Sequence, residues 1–325
     1  MIPNQWYAIY LSKDVKKKPV GIKRFNQNLV LWRNNDGELL CMPDVCCHRK
    51  AKLSLGKINN GCLACPYHGF EYNTEGRVCK IPAHDEKEKV PSRFHVTPFV
   101  VRESEGFIWF WYSIDAKIKP LDALPWDEIL LQKFNAKPSC TVVSADTFDV
   151  SYLRLLENIT DLIHVPFVHA PFVPSSWSKL KDFTCESSEN EVQIKGRVNN
   201  GKEGHKGLFA SVHYVAPATM LMHLGKKERD PRFIASFSPI DEKSMWLGAR
   251  YTQDYLPLPL FGWATSWLLF FFDYKLFQKL QDAPVWKSQE ENGAKDLKGY
   301  RLIEVDVGLR AVFDIRERLI EEAKM

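Results

Sequence analysis

Cys46-Cys47-His48-Arg49, followed by Cys65-Pro66-Tyr67-His68-Gly69-Phe70-Glu71-Tyr72, is the part of the chain whose reading decides the fold. Each stretch offers one sulfur and one ring nitrogen, as Cys46-x-His48 and Cys65-x-x-His68, with sixteen residues between the pairs. Two thiolates and two imidazoles on two loops suit a two-iron, two-sulfur cluster in which one iron takes both sulfurs and the other both nitrogens. A structural zinc site competes with this reading, because Cys62-x-x-Cys65 has zinc-knuckle spacing. Six of the eight cysteines lie between residues 41 and 79. Such crowding in a long chain points to metal binding rather than a disulfide framework. Cys41, Cys62 and Cys79 fit no ligand position and are expected as small buried packing residues. His84 and His95 are expected as ordinary surface or core histidines.

Around these loops the sequence reads as strands and turns. Leu29-Val30-Leu31-Trp32 and Glu38-Leu39-Leu40-Cys41-Met42 flank Asn34-Asn35-Asp36-Gly37, a hairpin signal. Phe70-Glu71-Tyr72 and Arg77-Val78-Cys79 flank Asn73-Thr74-Glu75-Gly76, and Phe99-Val101 pairs with Gly106-Trp111 in a third hairpin. Small antiparallel sheets carrying metal ligands at their loop tips follow. A proline-containing connection, Lys117 to Pro120 and on to Trp126, marks a boundary, dividing the chain into 1–117 and 118–325. Beyond it, residues 140–149, 183–199, 209–225, 232–239 and 244–252 look strand-like, and 150–164, 261–281 and 304–324 look helical. In the last, Val305, Leu309, Val312, Phe313 and Ile320 recur at helical spacing, a stripe suited to packing on a sheet. The fold class is α+β.

A second motif occupies the start of the C-terminal half: Glu157-Asn158-x-x-Asp161-x-x-His164-x4-His169. On a helix, Asn158, Asp161 and His164 share one broad stripe, and His169 is rotated off it. Pro166 cannot donate to an undisturbed helix, so the chain is expected to bend or end there and swing His169 back beside His164. A carboxylate from elsewhere would complete the two-histidine, one-carboxylate face of non-haem iron sites. Asp273, Asp282 and Asp296 are the late candidates.

The first motif, with Gly76 and Ile81-Pro82-Ala83 after it, resembles a Rieske domain. The second is similar to the catalytic signature of Rieske non-haem iron oxygenases of the alpha-subunit-only type, which extends the resemblance over nearly the whole chain. One departure is Cys47, where the family usually has proline. The resemblance implies an N-terminal all-β Rieske domain with a [2Fe-2S] cluster on Cys46, His48, Cys65 and His68. It also implies a C-terminal catalytic domain of antiparallel sheet flanked by helices, with a mononuclear Fe(II) on His164, His169 and Asp282. Asp282 is chosen by its distance from the C-terminal helix. Asp161 is implied as the bridge that carries an electron from one subunit's cluster to its neighbour's iron, within a head-to-tail homotrimer, and Asn158 as a minor supporting residue. The implied activity is that of a terminal monooxygenase or related oxygenase that uses O2 to hydroxylate or oxidatively demethylate a small, mostly apolar or aromatic molecule. A pure Rieske electron carrier is the alternative. The long filled segment after the cluster argues against it.

Other features bound the partners. The sequence has no Gly-x-Gly-x-x-Gly fingerprint and no plant-type ferredoxin cysteine run, so a separate reductase or ferredoxin is expected as electron donor. Lys50, Lys52 and Lys57 near the first loop could attract an acidic carrier, or be a solvated face. A formal net charge of +4 over 325 residues makes no case for nucleic acid. Tyr255 to Phe272 carries no charge, but Pro257 and Pro259 interrupt it. The remaining 260–272 is short for a membrane span and reads first as a core or pocket-wall helix, second as a peripheral membrane contact. The pocket is expected to draw on Leu153–Leu162, Phe167–Phe172, His205–His223 and Trp263–Phe272. The N-terminus lacks the pattern of a secretion signal, so a reducing cytoplasm is the expected compartment.

Overall fold

The structure, a computed structural model, describes residues 1–85, 88–115, 117–125, 141–170, 172–225, 231–253, 258–289 and 296–325. Trp126, Cys140, Pro171 and Tyr255 lie outside these ranges. The N-terminal part contains β1 (Gln5–Leu11), β2 (Val20–Arg24), β3 (Gln27–Arg33), β4 (Leu39–Pro43) and β5 (Lys57–Asn59). It continues with β6 (Cys62–Ala64), β7 (Glu71–Tyr72), β8 (Val78–Lys80), β9 (Val101–Ser104) and β10 (Phe107–Tyr112). Three antiparallel sheets result, ordered β1-β10-β9, β2-β3-β4 and β5-β6-β7-β8.

Two of the hairpins close by the same chemistry. In one, Asn34 Oδ1 accepts the N–H groups of Asp36 and Glu38 at 3.0 and 2.9 Å. In the other, Asn73 Oδ1 accepts those of Glu75 and Arg77 at 3.1 and 2.9 Å. An asparagine side chain that mimics a backbone turn is a local device, which is why it is readable from sequence. Gly76 completes the second turn at φ +75°, and a Cβ there would lie 1.9 Å from the Val96 carbonyl oxygen, so only glycine fits.

The C-terminal part centres on a seven-stranded antiparallel sheet. Its strands are β11 (Thr141–Phe148), β12 (Lys179–Ser187), β13 (Glu191–Asn199), β14 (Leu208–Val215), β15 (Thr219–Leu224), β16 (Arg232–Pro239) and β17 (Met245–Thr252). They are ordered β11-β17-β16-β15-β14-β13-β12. The stretches 183–199 and 209–225, expected as strand-like, each contain a hairpin turn. The chain turns at Ser188, whose N–H bonds the Glu191 carbonyl at 2.9 Å, and at Ala216-Pro217-Ala218, where proline has no N–H to give a ladder. Period-2 alternation assigns the two faces. Phe233, Ala235 and Phe237 join the core shared with the helices, while Ile234 and Trp246 join Trp6, Phe107 and Trp109 on the other side. The first sheet therefore backs one face of the large sheet. A third cluster, including Trp32, Leu63 and Tyr72, fills the space beneath the cysteine loops.

The helices are α1 (Tyr152–Thr160), α2 (Val165–Val168), α3 (Pro259–Phe271), α4 (Ala283–Gln289) and α5 (Val307–Glu322), with a π-helix over Phe272–Asp282 joining α3 to α4. Ser151 caps α1 by accepting the Leu153 N–H at 3.4 Å. The expected helix over 150–164 ends earlier than Pro166. Asp161 is extended (φ −101°, ψ 114°), and its Oδ1 takes the Ile163 N–H at 2.7 Å. Pro166 sits in the first turn of α2, where its missing N–H costs nothing. It starts a helix instead of ending one.

Candidate functional site

The two cysteine loops are built alike. The Cys46 N–H bonds the Ala51 carbonyl at 2.8 Å, and the Cys46 carbonyl accepts from Lys50 at 3.0 Å. The Cys65 N–H bonds the Phe70 carbonyl at 2.9 Å, and the Cys65 carbonyl accepts from Gly69 at 3.1 Å. Lys50 and Gly69, each four residues after its cysteine, both have positive φ, at 61° and 71°. This repeated tight loop buries the two sulfurs, with Cys46 and Cys65 2% and 3% exposed, and turns the histidines outward. The His48 and His68 rings are 4.7 Å apart, and His48 stacks on Phe70 at 4.7 Å and 6°. His48 Nδ1 is buried with no hydrogen-bond partner. Two buried sulfurs, two neighbouring imidazoles and an orphaned ring nitrogen fit a mixed-ligand [2Fe-2S] cluster.

Tyr72 supports this site in a way the motif alone did not reveal. Its hydroxyl donates to Cys46 Sγ at 3.1 Å, accepts the Cys47 N–H at 3.0 Å, and lies 3.2 Å from Cys47 Sγ. Cys41 is buried as expected, but Cys79 is exposed and Cys62 only partly covered. Their sulfurs lie 3.6 Å apart. Packing in a core therefore describes Cys41 and not this pair: Cys62 opens β6, and Cys79 lies on β8, the edge strand of a small sheet.

The second motif converges as a carboxylate–imidazole group. His169 Nε2 is 3.5 Å and His164 Nε2 3.8 Å from Asp282 Oδ1, and ligand atoms of all three lie within 4.8 Å of one another. Local structure aims them. The break after α1 lets the Asp161 carbonyl meet His164 Nδ1 at 2.8 Å, and Gln281, beside Asp282 on the π-helix, meets His169 Nδ1 at 2.7 Å. Holding each Nδ1 leaves both Nε2 atoms facing the same space. Burial lowers His164 to about 4, and burial also lowers His169, so both rings are neutral with free lone pairs. Burial, then the charge of Asp273, pushes Asp282 up to about 8. The carboxyl therefore keeps its proton beside two neutral imidazoles, and a divalent iron would supply the positive charge that ionises it.

Asn158 Nδ2 points to the same place, 3.3 Å from both His164 Nε2 and Asp282 Oδ1. Asp161 stands to one side, its Oδ2 3.7 Å from His164 Nδ1 and its side chain 36% exposed. Asp273 is held by Tyr251 and Gln278 away from the histidines, and Asp296 lies in a surface turn. Gln281 was missed by sequence reading, and its only signal was adjacency to Asp282.

A cavity of about 890 Å³, counting its open mouth, lies against this group. Strand side chains such as Val198, Leu208, Met220, Met222 and Phe233 make its wall. Contrary to expectation, Trp263–Phe272 does not line it. Among the described side chains of α3 the fully buried ones are the small residues Gly262 and Ser266, while Phe261, Trp263, Trp267 and Phe271 face outward.

A family model, the Rieske [2Fe-2S] domain, matches residues 5–98. The chain is 33% identical over 217 residues to protein TIC 55, chloroplastic, of Arabidopsis thaliana, covering 62% of this chain and 37% of that protein. It is 32% identical over 181 residues to chlorophyllide a oxygenase, chloroplastic, of Oryza sativa subsp. japonica, covering 54% and 30%. The chain thus spans about a third of the length of these curated relatives. The crystal structure of dicamba monooxygenase bound to dicamba superposes with a TM-score of 0.81 at 22% identity, covering 100% of this chain and 99% of that one. Residues 5–98 are a Rieske [2Fe-2S] domain, and the chain as a whole has the fold of dicamba monooxygenase.

Proposed function

We propose that this protein is a terminal oxygenase that hydroxylates or oxidatively demethylates a mostly apolar small molecule, with O2 as oxidant and electrons from a separate reductase or ferredoxin. The observation that carries this reading is the convergence of His164, His169 and Asp282 beside an apolar cavity, in a chain that also holds a Rieske domain. Iron held by His164, His169 and Asp282 would supply oxygen activation, and a [2Fe-2S] cluster held by Cys46, His48, Cys65 and His68 would supply electrons one at a time. The chain's own residues do the rest. Asp161 and Gln281 fix the two imidazoles, the sheet wall excludes water and receives the substrate body, and Tyr72 holds the Cys46 sulfur.

The domain boundary in this reading falls between residues 117 and 118. Asp161, partly exposed beside His164, bridges to a cluster histidine of a neighbouring subunit in a homotrimer. Exposed Lys50, Lys52 and Lys57 receive an acidic electron carrier. None of the described helices is long and apolar enough to cross a membrane. The outward face of α3 makes a peripheral contact with lipid. A reducing cytoplasm is the proposed compartment.

Iron and acid-labile sulfide on anaerobically purified protein test the central reading. About three irons and two sulfides per chain are expected, with substrate-dependent oxygen uptake once a reductase is supplied. Two irons and two sulfides, unchanged on adding ferrous ion, would leave only an electron carrier.

A further inference from the structure

The cavity wall carries a polar device that no metal site uses. Asp273 and Gln278 both line the cavity, on the π-helix that ends at Asp282. A helix with i→i+5 bonding turns once in rather more than four residues. Asp273, Gln278 and Asp282, spaced five and four apart, therefore fall along one line, which an α-helix would not give. Asp273 Oδ2 accepts from Gln278 Nε2 at 2.7 Å and from the Tyr251 hydroxyl. Burial raises Asp273 only to about 6, so it is ionised at neutral pH and the amide nitrogen must face it. That fixes the amide orientation and leaves Gln278 Oε1 free. This oxygen is buried with no hydrogen-bond partner, on a side chain only 7% exposed.

A buried acceptor without a donor is destabilising unless something fills it. Gln278 is itself one of the residues that line the cavity. Both polar groups on this part of the wall, the Gln278 carbonyl and the Asp273 carboxylate, accept and do not donate toward the space. The wall also offers no lysine or arginine among the described residues. Alternation along β15 and β16 explains this, since Met222 and Phe233 face the cavity while their neighbours His223 and Arg232 project from the opposite face. A carboxylate or sulfonate beside Gln278 and Asp273 would find acceptors and no lysine or arginine.

We propose that the substrate is an uncharged, largely apolar molecule bearing a hydrogen-bond donor, an O–H or N–H, which Gln278 Oε1 and Asp273 receive. This rests on the oxygenase reading and names its substrate class. The specificity determinants are Gln278, which contacts the donor, and Asp273, which fixes the amide.

The test is calorimetric binding to the iron-loaded protein with three probes of one shape: 2-naphthol, 2-methoxynaphthalene and 2-naphthoate. Wild type should prefer 2-naphthol to the methyl ether by about tenfold, the scale of one buried hydrogen bond, and bind 2-naphthoate most weakly. Gln278→Leu should bring the first two within about twofold by weakening 2-naphthol alone. Asp273→Asn is nearly isosteric and places a donor amide toward the cavity, so it should lower the same preference even if the leucine variant folds poorly. Tightest binding of 2-naphthoate, or a preference for 2-naphthol that survives both substitutions, would overturn the proposal. Iron and sulfide content, assayed on the same samples, separates this outcome from failure of the oxygenase reading. An intact metal complement with the wrong probe order rejects only the substrate class.

Discussion

At the scale of single residues, two side chains away from the ligand motifs carry measurable consequences. The Tyr72 hydroxyl donates to Cys46 Sγ, and a hydrogen bond to a cluster sulfur favours the more negative, reduced form. Tyr72→Phe is therefore expected to retain the cluster and lower its reduction potential in a potentiometric titration; an unchanged potential would remove Tyr72 from that role. Asp273 is the second. Burial raises its folded pKa from 3.8 to about 6, so the folded state binds more protons than the unfolded state across that window. Stability attributable to this group is greatest below pH 3.8 and falls as pH rises through about 6. Between pH 5 and 7 the loss is of order 1 kcal/mol. Asp273→Asn should flatten the pH dependence of Tm over that interval, and parallel curves for the two proteins would contradict the assignment.

At the scale of elements, α3 is the helix whose surroundings least match its composition. Phe261, Trp263, Trp267, Leu268 and Phe271 are 40 to 61% exposed, on a helix without a charged residue. Aromatic residues with an apolar body and, for tryptophan, one polar edge suit the lipid–water interface. The protein is expected to co-sediment with phosphatidylcholine vesicles and to lose most of that binding on combined Trp263→Ser and Trp267→Ser substitution. Equal sedimentation of both proteins would exclude α3 as the contact. The π-helix that follows is the opposite case. Its composition is unremarkable, yet its winding brings Asp273, Gln278 and Asp282 into register.

At the scale of the whole molecule, the decisive question is whether one active site needs two chains. Asp161 faces partly outward beside His164, where a neighbour's cluster histidine would have to dock. Asp161→Asn is expected to keep both metals and lower coupled turnover by at least about tenfold, the usual scale for a lost partner of a metal ligand. Cys46→Ala, which removes a proposed cluster ligand, is expected to be inactive as well. Co-expressed, the two variants should regain activity, since a cluster on one chain then faces an intact Asp161 and iron on the other. Light scattering should give a trimer. Complementation that never appears in a mixed trimer would place electron transfer within a single chain.

The sequence by itself determined whatever depends on local chemistry. Cysteine and histidine spacing marked both loops, and the Asn34 and Asn73 turns announced their hairpins because an asparagine side chain closes a turn without distant help. Tertiary structure decided what depends on where distant segments meet. The carboxylate beside the two histidines comes from a helix over a hundred positions later; the resemblance favoured Asp282 over Asp273, and packing is what brings it to the imidazoles. The end of α1 was misread because Pro166 is a strong local signal while the side-chain turn at Asp161 is a weak one. The outward aromatic face of α3 was misread because hydrophobicity reports a preference for burial and not whether a partner surface exists within the chain.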